Sequence, residues 1–583
     1  VRETHTPRPR LTAPASLFAA LILTVTTACA GPAPADLVVV GGRVVTVDDA
    51  RPEAGGIAVR GHEIVAVGSD ARIRRFIGEG TRTIELDGRL AIPGFIEGHG
   101  HFTSLGQAMM VLDLNTARRW EDIVAMVAEA ARNAAPGEWI LGRGWHQEKW
   151  ESVPEPSVEG VPTHRDLSRA APHNPVDLGH ASGHAALVNA RALELAGIDR
   201  NTPDPPGGEI VRDARGEPTG LLRETAQRIV DRVYAHSRES MTAADREAEF
   251  RQIIELATDE ALAKGITSFH DAGSSLADID RLRAMEAAGD LRLRLYVMVR
   301  YATNEEMEER LDDYLIIPEG NDHLAVRCIK RQIDGALGAH GAWLLDPYED
   351  LPTSVGLNLE PVEDIAGTCE LAIRHGFQVA THAIGDRGNR ETLDLYSAAF
   401  SAAGVAGEEL RWRIEHSQHL HPDDVPRFAR LGVIAAMQGV HCTSDGPWVI
   451  KRLGERRAEE GAYLWRTLWD LGVVVTNGTD VPVEDIDPIA GYYSTITRHC
   501  FDGSIFYPEE CLTREEALRS YTLNNAFAAF EDHLKGSLEP GKLADITVLS
   551  DDILALPAEQ IPSVTVDYTI VGGTIAYARE GDR

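Results

Sequence analysis

Between about Gly94 and His533 the chain alternates short apolar, β-branched runs with helical patterns, eight times over. This alternation restricts the fold more than any other feature. Strand-like runs separated by amphipathic stretches are the pattern of a parallel sheet with crossover helices. The first run carries His99 and His101, and the second spans Gly265–Asp271. The third is Leu293–Val299, the fourth Ala325–Gly335 with Lys330 inside it, and the fifth Phe377–His382. Leu410–His416, Gly432–Gln438 and Gly472–Asp480 complete the set. Eight βα units close naturally into a TIM barrel, with chemistry at the C-terminal strand ends. The histidines and aspartate of runs one, five, six and eight fall there.

The two ends of the chain read differently. Ala35–Asp48, Gly56–Gly68 and Thr83–Leu90 are short runs cut by Gly and Asp, as in antiparallel structure. Ala544–Leu549 and Val566–Tyr577 answer them, and Val39-Val40-Gly41-Gly42 resembles Ile570-Val571-Gly572-Gly573. The prediction is a composite β-sandwich from 31–93 plus 534–583, with the barrel of 94–533 set between its halves. A stretch at about 117–263 is too long for one crossover. It carries its own apolar runs and a Pro/Gly-rich connection at Pro203–Gly208, and reads as an inserted α/β subdomain over the barrel mouth.

The first thirty residues have the order of a secretory signal: Arg2, Arg8 and Arg10, an uncharged run from Leu11 to Ala28, then small residues. Thr26-Thr27-Ala28-Cys29 resembles a bacterial lipobox, although Leu is absent three residues before the cysteine. A lipid anchor at Cys29 and ordinary cleavage after Ala30 both stand; either sends the chain out of the cytoplasm, as a membrane-anchored lipoprotein or as a secreted or periplasmic protein. A net charge of −33 argues against nucleic acid, whose phosphates require a basic surface. The partner expected instead is a small-molecule substrate. Cys328, Cys369, Cys442, Cys500 and Cys511 are widely spaced and form no CxxC pair, so neither a disulfide framework nor a zinc knuckle is indicated.

The most informative local stretch is Ile92-Pro-Gly-Phe-Ile-Glu-Gly-His-Gly-His-Phe102. Histidines at i and i+2 of a strand project from one face, and two such imidazoles are half of a first-row metal site. A pair of polar residues on a half-exposed strand is the plain alternative.

Six segments in a fixed order tip that balance: Pro93–His101, Asp334–Gly338, His382–Arg387, Arg413–His416, Gly478–Pro482 and Leu538–Asp545. With them the chain resembles the amidohydrolase superfamily, specifically its amidohydrolase-3 or YtcJ-like family, over nearly all of its length after Ala35. The resemblance implies that His99 and His101 bind one metal, that His382 and His416 hold a second, and that Asp480 contacts the first metal and the attacking water. Lys330 stands where related members carry a carboxylated lysine bridging two metals. Only the carbamate could coordinate, since an ammonium cannot; without it the site holds a single ion. A surface lysine or a partner for a core carboxylate is the plain alternative, in a chain with 6 lysines against 51 arginines. The implied cofactor is a divalent metal, zinc first, one or two per chain. The implied reaction is hydrolysis of an amide, formamide or cyclic amide, with Asp480 as general acid-base.

His184 in Ser182-Gly-His-Ala resembles a family motif beside the site. Arg387, His340, His441 and Gln438 follow strands five, four and seven, where pocket walls form, and are candidate substrate contacts. Glu415 alternates with His416 and reads as structural. Trp145 and Trp150 read as packing in the insertion. A deaminase or another hydrolase would share this barrel and ligand set. A lipid-anchored binding protein without catalysis is the alternative of a different class, and the intact ligand set argues against it.

Overall fold

The computed structural model describes residues 32–580; the signal-like segment and Cys29 lie outside them. Eight parallel strands stand in chain order: Phe95–Gly100, Ile266–Ser274, Arg294–Val299, Leu324–Gln332, Gln378–Ala383, Arg413–His416, Ile434–Met437 and Val475–Asn477. All eight sequence-predicted runs are present, each in its expected place. Their residues are buried on both faces almost throughout, as a parallel sheet jacketed by helices demands. The crossover helix Val362–His375 shows the logic. It buries Ile365, Cys369, Leu371 and Ala372, then stops at Gly376, whose φ of 76° is left-handed and suits glycine.

The barrel closes where the first strand meets the eighth, and side chains complete this seam. Asn525 Nδ2, from the helix Leu523–Ala528, donates to the carbonyls of Ile96 (2.7 Å) and Asn477 (2.8 Å). Glu97 accepts from Thr479 N (2.6 Å) and Thr479 Oγ1 (3.1 Å), and Asp480 N donates to the His99 carbonyl at 2.7 Å. Gly98 leaves the room this requires. A Cβ there would run into the Asn477 carbonyl and the Asn525 side chain.

Both chain ends join in one hydrogen-bonded sheet of eight strands, in which Ile546–Leu549 pairs antiparallel with Leu90–Pro93. Its residues enclose a separate core that includes Val39, Ile57, Val59, Ile84, Ile546, Val548 and Ile570. A buried ion pair, Arg294 with Asp545 (2.8 and 3.1 Å), ties this sheet to the third barrel strand. The stretch after the first strand forms a six-stranded sheet running from Leu112–Asp113 to Pro218–Glu224. It has its own core around Ile123, Val127, Leu167, Leu178 and Leu187. At about 1.5–3 kcal/mol per buried side chain such a core can hold its own shape. The helix Ala243–Ala263, near the end of the stretch read as insertion, packs Phe250, Ile254 and Leu262 into the barrel core instead. Trp145 stacks on Trp150 inside the inserted sheet's core, as packing residues do.

The seam supplies a stability test. Asn525→Ala removes the donor from two buried carbonyls, each worth about 1–3 kcal/mol when unsatisfied. Denaturant unfolding should show a loss of that order, and Gly98→Ala should be more damaging. A loss under about 0.5 kcal/mol for Asn525→Ala, the size of an inconsequential surface change, would mean that other bonds hold the seam.

Candidate metal centre

Each side chain of the centre comes from a strand end. His99 lies on the first strand and His101 directly after it, Lys330 on the fourth, His382 on the fifth, His416 on the sixth, and Asp480 just past the eighth. Three ligand atoms, one each from His99, His416 and Asp480, lie within 4.8 Å of one another. Asp480 Oδ1 sits 3.5 Å from His99 Nε2 and 3.2 Å from His101 Nε2. The His382 ring centroid is 4.4 Å from that of His416, which is 4.6 Å from that of His99. Lys330 is buried beside them and lines the same cavity. The structure therefore gathers all six sequence-predicted ligand positions at one place.

Strand alternation alone would not deliver His416. Arg413 and Glu415 share one face of the sixth strand and turn into the barrel, whereas His416 has φ 76°, Ser417 φ 45° and Asp480 φ 58°. Non-glycine residues in the left-handed region cost on the order of 1–3 kcal/mol each and cluster at functional sites. The cost is tolerated here where the chain turns ligands toward one point.

The ligands are oriented from behind. His99 Nδ1 hydrogen-bonds Glu415 Oε2, and Arg413 grips that carboxylate with Nε (2.6 Å) and Nη2 (2.9 Å). Arg413 also donates to the Gly98 carbonyl (2.8 Å) and to His270 Nδ1 (3.1 Å). His416 Nδ1 donates to Gln438 Oε1 at 2.8 Å, and Gln438 Nε2 donates to the Ala436 carbonyl at 3.1 Å. With Nδ1 occupied in both histidines, the Nε2 lone pairs face the centre.

Electrostatics completes the picture. Burial, reinforced by the Lys330 charge, brings His99 down to about 4. Burial likewise lowers His101, and holds His382 and His416 well below the usual imidazole range. Burial opposes ionisation of Asp480, but the His101 hydrogen bond and the surrounding imidazoles outweigh it and keep the carboxyl well below its ordinary value. Imidazoles that burial disposes to give up their protons, set around one carboxylate, are what a divalent cation binds. The buried Nε2 atom of His99 has no hydrogen-bond partner and lies with His416 and Asp480 in one group of ligand atoms, so the donor set fits a metal; His382 Nε2 lies 3.5 Å from Asp334 Oδ1.

Two cavities meet on His382 and Asp480. One, of about 310 Å³, is lined by His101, Arg143, Arg300 and Lys330. The other, of about 50 Å³, has walls from Leu337, Ile384 and Trp448 with His146 and His441. His184, from the insertion, enters both; its Nδ1 bonds Glu224 Oε2 at 2.8 Å and its ring centroid lies 5.3 Å from that of His382. His441 stands with Nε2 at 4.0 Å from Asp480 Oδ2, its Nδ1 bonded to Gln418 Nε2 at 2.9 Å.

Three of the expected substrate contacts are placed elsewhere. Both polar atoms of the Gln438 side chain are spent on His416 and Ala436, so Gln438 orients a ligand histidine. His340 turns to Asp350 at 3.1 Å and packs on Tyr348. Arg387 begins a helix, pairs with Glu391 at 3.1 Å and lies over Trp343; neither lines the two cavities. A strand-end position fixes where the backbone is, but the following loop decides where a long side chain points. Glu415 is structural, as strand alternation predicts, and its structural role is to orient His99. Its signal was visible in Arg413-Ile-Glu-His, a charge pair two apart beside a ligand. Glu224, Arg143 and Arg300 had no such signal, because the pairing of the insertion with the barrel mouth is not written locally.

A parallel barrel with a ring of donors at its strand ends is an arrangement that metal-dependent hydrolases use. The profile of the amidohydrolase family matches residues 82–577, and the chain belongs to that family, as a hydrolase acting on carbon–nitrogen bonds with a divalent metal. It is 30% identical to the putative amidohydrolase YtcJ of Bacillus subtilis (strain 168), over 92% of this chain and 99% of that one. It is 28% identical to the N-substituted formamide deformylase of Arthrobacter pascens, over 94% and 99%. The crystal structure of an uncharacterized metal-dependent hydrolase from Pyrococcus horikoshii superposes with a TM-score of 0.70 at 24% identity, covering 90% of this chain and 99% of that one.

The orienting role of Glu415 is open to measurement. Glu415→Gln removes the charge that holds the His99 proton and leaves Arg413 buried without its counter-charge. Metal affinity, followed by chelator competition, should fall about 10–100-fold. Unchanged affinity would show that packing alone positions His99.

Proposed function

We propose that this protein hydrolyses the C–N bond of a small amide, formamide or cyclic amide, with zinc held by His99, His101, His382, His416 and Asp480. The observation that carries this reading is the buried Asp480, whose Oδ1 lies 3.5 Å from His99 Nε2 and 3.2 Å from His101 Nε2, beside the packed rings of His416 and His382. A bound divalent cation supplies a Lewis acid and lowers the pKa of a water it holds to about 7. Asp480, with Oδ1 toward His99 and His101, is positioned to accept a proton and return it to the leaving nitrogen. His184 and His441 stand on either side to contact the substrate. The inserted sheet, which brings His184 to the barrel mouth, acts as the lid that keeps bulk water out.

Lys330 carries the finer reading. Burial, then the neighbouring Arg300, lowers its amine to about 8, so a fraction is neutral and able to add carbon dioxide at neutral pH. The resulting carbamate would bridge two ions, and an unmodified lysine leaves one. The basic, apolar and small-residue order of the first thirty residues supports export, through a lipid on Cys29 or through cleavage after Ala30. Mass spectrometry of the membrane fraction tests it: a lipid on Cys29 supports anchoring, and an unmodified start at Gly31 replaces it with secretion.

Asp480→Asn keeps the size and an oxygen ligand but cannot take the proton. The variant should fold, keep most of its metal, and lose about 10²–10⁴-fold in kcat on whichever amide screening identifies. Near-normal kcat with metal in place would remove Asp480 from the mechanism. Elemental analysis of the same preparations should find close to two ions per chain and fewer in Lys330→Ala. One ion in both would leave a mononuclear site.

A further inference from the structure

One buried N–H at the centre has no acceptor among the described residues. His441 is 5% exposed and lines the 50 Å³ cavity with His382 and Asp480. Gln418, two residues after His416, donates Nε2 to His441 Nδ1 at 2.9 Å. An amide nitrogen donates and does not accept, so Nδ1 offers its lone pair there and the neutral ring carries its proton on Nε2. That buried Nε2 bonds nothing; Asp480 Oδ2, at 4.0 Å, is beyond hydrogen-bond reach. His99 and His416 are the reverse case. Their Nδ1 atoms are spent on Glu415 and Gln438, which leaves the Nε2 lone pairs for a cation. His441 cannot take that part, because its lone pair is the one turned to Gln418.

The ring is held where it stands. His441 is the third residue of the helix Gly439–Leu453, which follows the seventh strand. Gly439 N donates to Asn477 Oδ1 at 2.9 Å, and a Cβ at Gly439 would run into Thr495 Oγ1. One turn on, Thr443 Oγ1 and Ser494 Oγ share a hydrogen bond of 2.9 Å. The Gln418 carbonyl accepts from Tyr463 N at 2.7 Å, which fixes the residue that sets the proton. The His441 ring lies within 22° of parallel to that of His416, with centroids 6.1 Å apart. Burying a donor without an acceptor is unfavourable in the resting protein. A rigid donor aimed into a desolvated cavity is most effective where negative charge appears during a reaction.

We propose that His441 is a catalytic residue, whose Nε2–H donates to the carbonyl oxygen of the scissile amide and stabilises the charge that develops on it. The inference rests on the C–N hydrolysis reading and adds a residue to it. As the water oxygen bonds to the carbonyl carbon, the C=O π pair moves onto oxygen, and His441 meets it without giving up its proton. When that pair returns, the C–N bond breaks, and the proton taken by Asp480 goes to nitrogen. Gln418 is a positioning residue, acting through His441 by keeping the proton on Nε2.

p-Nitroacetanilide and its phosphonamidate analogue, with tetrahedral phosphorus in place of the carbonyl carbon, test the role. His441→Leu should keep its metal by elemental analysis and lose about 10²–10³-fold in kcat, with KM within about threefold. Titration calorimetry should show a matching loss of phosphonamidate affinity. His441→Gln, which restores an N–H donor, should recover part of both, and Gln418→Met should lose less than His441→Leu. If His441→Leu fails to fold by thermal melting, His441→Gln and Gln418→Met carry the comparison: in each, kcat and phosphonamidate affinity should fall together. A kcat within about threefold of the unsubstituted enzyme in the leucine variant would overturn the proposal. So would a fall in kcat with unchanged phosphonamidate affinity, since His441 would then act only through Asp480. If the unsubstituted protein hydrolyses no amide, the phosphonamidate separates the two readings. Affinity that depends on His441 would support the donor and retire C–N hydrolysis, and affinity that does not would overturn the donor.

Discussion

The closure between the first and eighth barrel strands is the constraint on which the rest depends. Asp480 N bonds the His99 carbonyl, and Glu97 and Asn525 bridge the same junction. Residues separated by nearly four hundred positions thereby become neighbours, and a carboxylate meets two imidazoles. Burial raises the Glu97 carboxyl to about 8, so at neutral pH it meets Thr479 largely as a neutral acid, beside the Asn525 and Asp480 bonds. Gly98 and Gly478 allow the close approach; a Cβ at Gly478 would lie 2.5 Å from Glu97 Oε1.

Below the ring of donors lies a second layer of buried polar groups. Arg413 and Glu415 are fully buried and satisfy each other, and the pair couples His99 to the Gly98 backbone and to His270. Burial would raise Glu415, but Arg413 and His99 outweigh it and keep the carboxylate ionised. A buried ion pair of this kind adds little net stability over apolar packing. Its value here is orientation, since it fixes the tautomer and ring plane of a donor that must present Nε2. The strained backbone at His416 and Asp480 fits the same account: stability is given up where geometry matters most.

The inserted sheet changes what the barrel mouth can recognise. It contributes Arg143, His180, His184 and Glu224 to a site whose other residues come from the strands. Glu224 has φ 49° and ψ −127°, at the point where the insertion's last strand turns back toward the barrel. Its Oε2 bonds His184, and its Oε1 occupies the space a Cβ on Gly335 or Gly341 would need, so the loop after the fourth strand carries glycine at both positions.

The amino-acid sequence by itself determined the eight strands and the joining of both chain ends. Each is encoded locally, through β-branched runs and Gly and Pro punctuation; the six candidate donors were implied by the resemblance of six short motifs to the family. The tertiary structure decided which polar neighbours face inward. Gln438 became a support for His416, Glu415 the partner of His99, and His340 and Arg387 turned away, although all four lie at or just beyond strand ends. Such choices depend on φ at single residues and on loops packed against distant segments, which periodicity does not record. The same holds for Arg143 and Arg300. One comes from the insertion and one from the barrel, and only the docking of the two sheets sets them around one cavity.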